Sequence, residues 1–407
     1  MKTSRFSTLF LLAPLLTLGC GGDDPVTPGT TSTSSSASGG GQGGEGGTGG
    51  QGGQGGEGGG QGGAGGQGGG MGGSGGGSSE IPIGDPIEAP PNQWTWVPFD
   101  NAFCGNGSTT GIGVNISDKS SRLVIFLTGG GACWNYPTCY QLKIAANLDG
   151  YDETKFQGDA GGTLSGSLFN RTDPDNPMKD DSYVFVPYCT GDVHSGDKIA
   201  DYNGVATHHV GFKNITAFMS RILPTFPNVD RVLLAGSSAG GFGVGTNFWR
   251  IQKAFGSVRV DVINDSGPAL PSPYLSEMRE KEWRDAWNLN AALPPDCPEC
   301  LTDLDTLFTY YAKTFPNNRA ALLSYTKDNV ISLFYGPIQT TYFEEGLKVL
   351  TMTRLEGIPN FRYYYLPGEN HVLLSNPKNV SADGVVLKTW LKQMVEDDPT
   401  WANVSPF

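Results

Sequence analysis

The chain has 407 residues and a formal charge of −13, which disfavours nucleic acid or an anionic membrane surface as partner and makes a polyanion hard to attract. About half of its 61 glycines fall between positions 21 and 79, so the part able to build a core is shorter than the whole. The remainder, 81–407, is long enough for a substantial hydrophobic core.

Residues 1–20 carry Lys2 and Arg5, an apolar run over 9–18, then Gly19 and Cys20. That is the layout of an export signal, and a cysteine directly after a small residue fits the lipoprotein type, with Cys20 as the acylated residue. The alternative is plain secretion with Cys20 incidental. The expected location is therefore the cell envelope, lipid-anchored, or the extracellular space. Residues 21–80, rich in Gly, Ser and Gln, offer almost nothing apolar to bury, so a disordered linker is expected. As a random coil it would span roughly 40 Å. Residues 81–407 are expected to form one catalytic domain, as a monomer.

Within that domain, the aromatic stretch 93–103 reads as a leading strand. Residues 122–128 form the first strong buried strand and run into Gly129, Gly130, Gly131 and Ala132, followed by Cys133 and Trp134. Three glycines after a buried strand let backbone N–H groups turn toward a ligand, as an oxyanion hole requires. Otherwise they make a tight loop. Further strands are predicted at 182–188 and 258–263, and again at 319–325 and 361–366, with helices at 208–223, 242–254 and 385–395. Strands alternating with helices imply an α/β fold, a mostly parallel sheet with helices on both faces. Reactive groups then gather at the strands' C-terminal edge.

The run Val232 to Ala235 is a buried strand that stops at Gly236. Gly236-Ser237-Ser238-Ala239-Gly240 matches G-x-S-x-G, a turn that lifts the central serine clear of the sheet. Ser238 is the candidate nucleophile, and the next N–H, on Ala239, is a candidate oxyanion donor. Only His371 of the four histidines follows Ser238, and a Ser–acid–His order makes it the base. Asp328 and Asp265 both lie past strand ends between them. Asp328 is preferred because it follows the penultimate strand, and Asp265 remains the alternative. No metal or organic cofactor is required. A neutral imidazole base loses its lone pair on protonation, so activity is expected to fall below roughly pH 6 to 7. Apart from Cys20 there are six cysteines: Cys104, Cys133, Cys139, Cys189, Cys297 and Cys300. An even count in an exported protein favours disulfides. Cys297 and Cys300, with no second C-x-x-C and no histidine nearby, read as a loop clip.

These blocks together resemble the pectin acetylesterase family, which includes the Notum carboxylesterases. The matching pieces are the run 126–135 around Gly129–Gly131, then 185–189 with Asp192 and His194, then 234–241, Asp265 to Gly267, Asp328, and Asn370 with His371. The resemblance spans roughly 94–375. It implies an α/β-hydrolase-like serine esterase with Ser238, Asp328 and His371 as triad. Gly130, Gly131, Ala132 and Ala239 would line the oxyanion hole, with Trp134, Asp192, His194 and Asp265 near the substrate. It further implies disulfides Cys104–Cys189 and Cys133–Cys139. The substrate it suggests is an acylated polysaccharide, with a long-chain acyl ester or a non-catalytic binding role as alternatives. The chain departs from the family pattern at Thr128, Ala132 and His194, positions that shape the pocket.

Overall fold

The computed structural model describes residues 81–336 and 339–407. The expected export signal with Cys20 and the expected linker lie outside the described residues. Two antiparallel strands lead in, β1 (Thr95–Phe103) and β2 (Thr109–Asn115). Strands β3 (Arg122–Leu127) and β4 (Ser182–Val186) follow, then a separate hairpin, β5 (Lys198–Tyr202) with β6 (Val205–His209). Next come β7 (Arg231–Ser237), β8 (Arg259–Asp265), β9 (Ala320–Tyr325) and β10 (Phe361–Leu366). The main sheet runs β1-β2-β4-β3-β7-β8-β9-β10. From β4 to β10 every pairing is parallel, and β1 and β2 add an antiparallel edge.

The helices are α1 (Glu153–Gly161), α2 (Gly211–Thr225), α3 (Ala239–Phe255), α4 (Glu277–Trp287), α5 (Thr306–Thr314), α6 (Ser332–Tyr335), α7 (Thr340–Leu350) and α8 (Leu387–Val395). Strand alternation assigns the two faces. Val232 and Leu234 of β7 pack with Ile215 and Phe218 of α2 and with Phe248 and Ile251 of α3. Leu233 and Ala235 face the other way, toward Phe156 of α1 and Trp390 and Leu391 of α8. A strand covered on both sides is apolar throughout rather than alternating, which is why 232–235 reads as a continuous run. Each such side chain, fully buried, stabilises by roughly 1.5–3 kcal/mol. A third cluster crowns the C-terminal edge, where Trp283 and Trp287 of α4, Leu307 of α5, Tyr335 of α6 and Leu347 of α7 meet Ala239 and Phe242.

The three disulfides are Cys104–Cys189, Cys133–Cys139 and Cys297–Cys300. Two helix starts expected from the sequence are corrected. The helix placed at 208–223 begins only at Gly211, because His208 and His209 belong to β6, paired with Ile199 and Lys198. The Asp192 carboxylate accepts from the Gly211 N–H at 2.7 Å. An anion at the first turn fixes where the helix starts. Likewise, helix 385–395 begins at Leu387, after a short antiparallel pair that uses Val385 and Val386.

Candidate active site

Ser238 lies between β7 and α3 with φ 59° and ψ −121°, a left-handed conformation that costs a residue with a Cβ on the order of 1–3 kcal/mol. What holds it there is visible on both sides. Its N–H donates to the Asp265 carbonyl at 2.7 Å, and its own carbonyl accepts from the Phe242 N–H at 3.2 Å. A Cβ at position 240 would overlap the backbone of Leu127, and one at 236 would overlap Gly240, so both glycines of G-x-S-x-G let α3 start tight against β3 and β7. The N–H of Ala239, the first residue of α3, has no intrahelical acceptor to reach.

The loop after β3 closes over this turn. A Cβ on Gly129 would lie 2.8 Å from Ser238 Cβ, so the approach is too close for any other residue. Gly130 and Gly131 have φ of 151° and 73°, in the region that favours glycine. Gly131, Ala132, Ser238 and Ala239 line one pocket. Gly130 instead anchors the loop, its carbonyl accepting from Ala146 N–H at 2.7 Å. Beneath, His194 Nε2 bonds the Thr128 carbonyl at 2.8 Å. Burial pushes the His194 imidazole down to about 4, so the ring is neutral and donates through Nε2.

His371 follows β10 by five residues. The pairing of β9 with β10 continues past the strands as Thr326 N–H to Leu366 O, Lys327 N–H to Gly368 O and Asn329 N–H to Glu369 O. That ladder sets Asp328 opposite His371, with Nδ1 to Oδ2 at 2.7 Å. The other Asp328 oxygen accepts from the N–H groups of Val330 and Ile331, at 3.0 and 2.9 Å. A carboxylate so bonded is an acceptor, so Nδ1 carries the proton and Nε2 keeps its lone pair. Ser238 Oγ makes no hydrogen bond among the described residues, to the imidazole or to any other group. Such bonds are often long before substrate binds.

Asp265 joins the two halves. Its carboxylate accepts from Leu373 N–H at 2.9 Å, Leu374 N–H at 3.0 Å and Ser237 Oγ at 2.8 Å, while Ser266 Oγ accepts from Val372 N–H at 3.2 Å. The residue before the serine and the residues after the histidine are thus tied to one side chain. Desolvation raises the Asp265 carboxyl, offset by those two N–H groups, the Ser237 hydroxyl and the charge of His371.

The remaining substrate-side candidates lie behind the pocket wall. Asp192 is fully buried, bonded to Thr190 Oγ1 and to the N–H groups of Gly196 and Gly211, and burial raises it to about 6. Trp134 backs the pocket, its ring centroid 6.1 Å from that of Trp283 and 6.5 Å from that of Phe334. The walls themselves are Val193, Phe242, Trp283, Ile331, Phe334 and Tyr335. Sequence reading missed most of them, since Trp283, Phe334 and Tyr335 sit on α4 and α6, far from any motif. Phe242 was within reach, because four residues after Ser238 on a helix means the same face. For a metal, Cys133, Cys139 and His209 lie close together, but both sulfurs are joined in a disulfide.

Sheet order, the strand–serine–helix turn and the edge location of the acid and histidine define an α/β-hydrolase-like protein. The chain belongs to the pectinacetylesterase family, whose model matches residues 95–317. It is 32% identical over 184 residues to the palmitoleoyl-protein carboxylesterase notum2 of Xenopus laevis, covering 43% of this chain and 36% of that protein. The human palmitoleoyl-protein carboxylesterase NOTUM is 31% identical over 176 residues, covering 40% and 34%. The chain thus spans about a third of the length of the curated relatives it matches. A crystal structure of the Wnt deacylase Notum from Drosophila superposes with a TM-score of 0.57 at 18% identity, covering 77% of this chain and 95% of that one.

Proposed function

We propose that this protein is a serine carboxylic ester hydrolase that removes short acyl groups, O-acetyl in the first instance, from an extracellular polysaccharide. The observation that carries the reading is the 2.7 Å bond from His371 to Asp328, tied through Asp265 to the turn that presents Ser238. His371 Nε2 takes the Ser238 proton as Oγ attacks the ester carbonyl. The carbonyl oxygen gathers charge facing the N–H of Ala239 and the loop of Gly131 and Ala132. The alkoxide leaves with the proton from His371, and water activated by the same imidazole releases the acid. Asp328 holds the tautomer and stabilises the imidazolium. Three disulfides suit an oxidising compartment, in keeping with the export signal and the acylation of Cys20 proposed for the N-terminus. The acidic charge favours a neutral glycan over bare polygalacturonate. The test is Ser238→Ala on p-nitrophenyl acetate and on acetate release from acetylated glycans. Undiminished turnover would refute the assignment.

A second reading, hydrolysis of a long-chain acyl ester, draws on the relatives named palmitoleoyl-protein carboxylesterases. Against it stand the bulky Phe242, Trp283 and Tyr335 among the walls of the Ser238 pocket.

A further inference from the structure

Phe242 stands between two spaces. On one side is the pocket of Ser238. On the other is an apolar cavity whose lining includes Phe248, Ala269, Leu307, Tyr311 and Ala312, and Phe242 lines both. The ring is held edge-on by Trp283 and Tyr335, with centroids 5.8 and 5.9 Å away and planes at 88° and 89°. Its backbone N–H bonds the Ser238 carbonyl, so it keeps its place relative to the nucleophile. Beyond it, the cavity runs between α3 and α5 over Val262 of β8 and Ala320 of β9.

We infer that Phe242 is the specificity-determining residue of the site, a floor that limits the acyl group to a few carbons by separating the Ser238 pocket from an apolar cavity able to take a hydrocarbon chain. The inference rests on the ester-hydrolase reading. With the carbonyl oxygen at the oxyanion donors, the acyl chain is the part of the ester that enters the pocket. Each methylene that reaches an apolar wall is worth roughly four-fold in binding. A chain longer than the pocket meets the aromatic ring instead, which is held between Trp283 and Tyr335. With the ring gone, the two spaces join, and the chain gains the lining of the cavity.

The experiment measures kcat/KM on p-nitrophenyl acetate, butyrate, octanoate and decanoate for wild type, Phe242→Ala, Phe242→Leu and the double variant Phe242→Ala with Ala312→Phe. Fluorophosphonate labelling of Ser238 counts folded sites in each, and the leucine variant keeps apolar bulk in the core. Wild type is expected to prefer acetate or butyrate and to fall by about a hundred-fold at octanoate. Phe242→Ala is expected to raise octanoate and decanoate turnover at least about ten-fold per labelled site, with Phe242→Leu intermediate. Refilling the cavity from Ala312 is expected to reverse the gain on octanoate and decanoate. Wild-type turnover of decanoate equal to acetate, or an unchanged profile in both Phe242 variants, overturns the inference while the esterase reading stands. Acetate turnover that survives Ser238→Ala overturns the reading itself, whatever the chain-length profile.

Discussion

Strand β8 carries two fully buried aspartates, Asp261 and Asp265, whose charges are met in opposite ways. Asp261, at the N-terminal end, faces guanidinium groups. Arg231 Nε lies at 2.7 Å and Arg259 Nε at 2.8 Å, and Arg319 N–H adds a bond at 2.7 Å. Both arginines also reach Asp397 near the C-terminus. Asp265, at the C-terminal end, is bonded among the described residues by neutral donors alone. The first is an ionic clip between strands and tail. The second holds two loops in register without a fixed countercharge. A permanent guanidinium there would repel the imidazolium that the proposed reaction forms. Two neutral N–H groups keep the carboxylate in place and leave its field directed at the histidine.

The largest test of this contrast is Asp328→Asn, which keeps the shape of the direct contact to His371 but favours the wrong tautomer. It is expected to lower kcat on p-nitrophenyl acetate by about 10⁴-fold with the melting temperature nearly unchanged. Next is Asp261→Asn, which leaves two guanidinium groups under-paired at the far edge. It is expected to cost about 3 kcal/mol in urea unfolding and to leave kcat per labelled Ser238 within two-fold or so of wild type, since the site is at the other end of the strands. A large loss of kcat there would dissolve the distinction between the two ends.

How far each end was legible in the sequence follows from the same contrast. The buried runs at 122–128 and 232–235 are local features and read correctly as strands of the fold, while the elbow around Ser238 and the chain order of Asp328 and His371 are the ordinal features from which the candidate site is read. What Asp265 does was not legible. Its partners Leu373 and Leu374 are more than a hundred positions away, and an aspartate past a strand end looks the same whether it grips a base or the loop beside it. Asp192 and His194 likewise read as substrate-side groups, because motif proximity says nothing about which side of a wall a side chain occupies. The start of α2 was misplaced because His208 and His209 look like helix residues until Asp192 caps Gly211.

Acid titration sharpens the comparison further, because His194, His209, Asp192 and Asp265, all buried and all shifted, lie at or behind the loops of the site edge. Burial lowers His194 and His209 to about 4, against roughly 6.5 when unfolded. Between those values the unfolded chain binds protons that the native chain refuses, so stability falls as pH falls. Asp192 opposes this. Burial raises it to about 6, so below that pH the native state holds a proton the unfolded state lacks. Asp265, whose carboxyl burial also raises, opposes it as well, so the informative quantity is the share of one histidine, roughly 3 kcal/mol of stability lost between pH 7 and pH 4. Urea midpoints across that range measure it, and His194→Gln is expected to flatten the curve. A curve identical to wild type would mean that His194 is not held neutral beneath Thr128.

The smallest effect decides what Asp265 is for. In Asp265→Asn, one carboxylate oxygen becomes an NH₂ group facing a backbone N–H, so the bond to Leu373 or Leu374 is lost and the other is kept. The base loop then shifts relative to Ser238 by a fraction of an ångström, while the pocket walls on α4 and α6 stay where they are. Misplacement on that scale costs about 10- to 100-fold in kcat, and KM is expected to hold within roughly two-fold, because binding and positioning are carried by different residues. Removing the buried negative charge also makes the imidazolium less stable, so the acidic limb of kcat/KM is expected to move to lower pH. A purely structural aspartate would lower the melting temperature and leave that limb in place. If instead the substitution matched Asp328→Asn in size, Asp265 would be the acid and the 2.7 Å contact of Asp328 would be the scaffold.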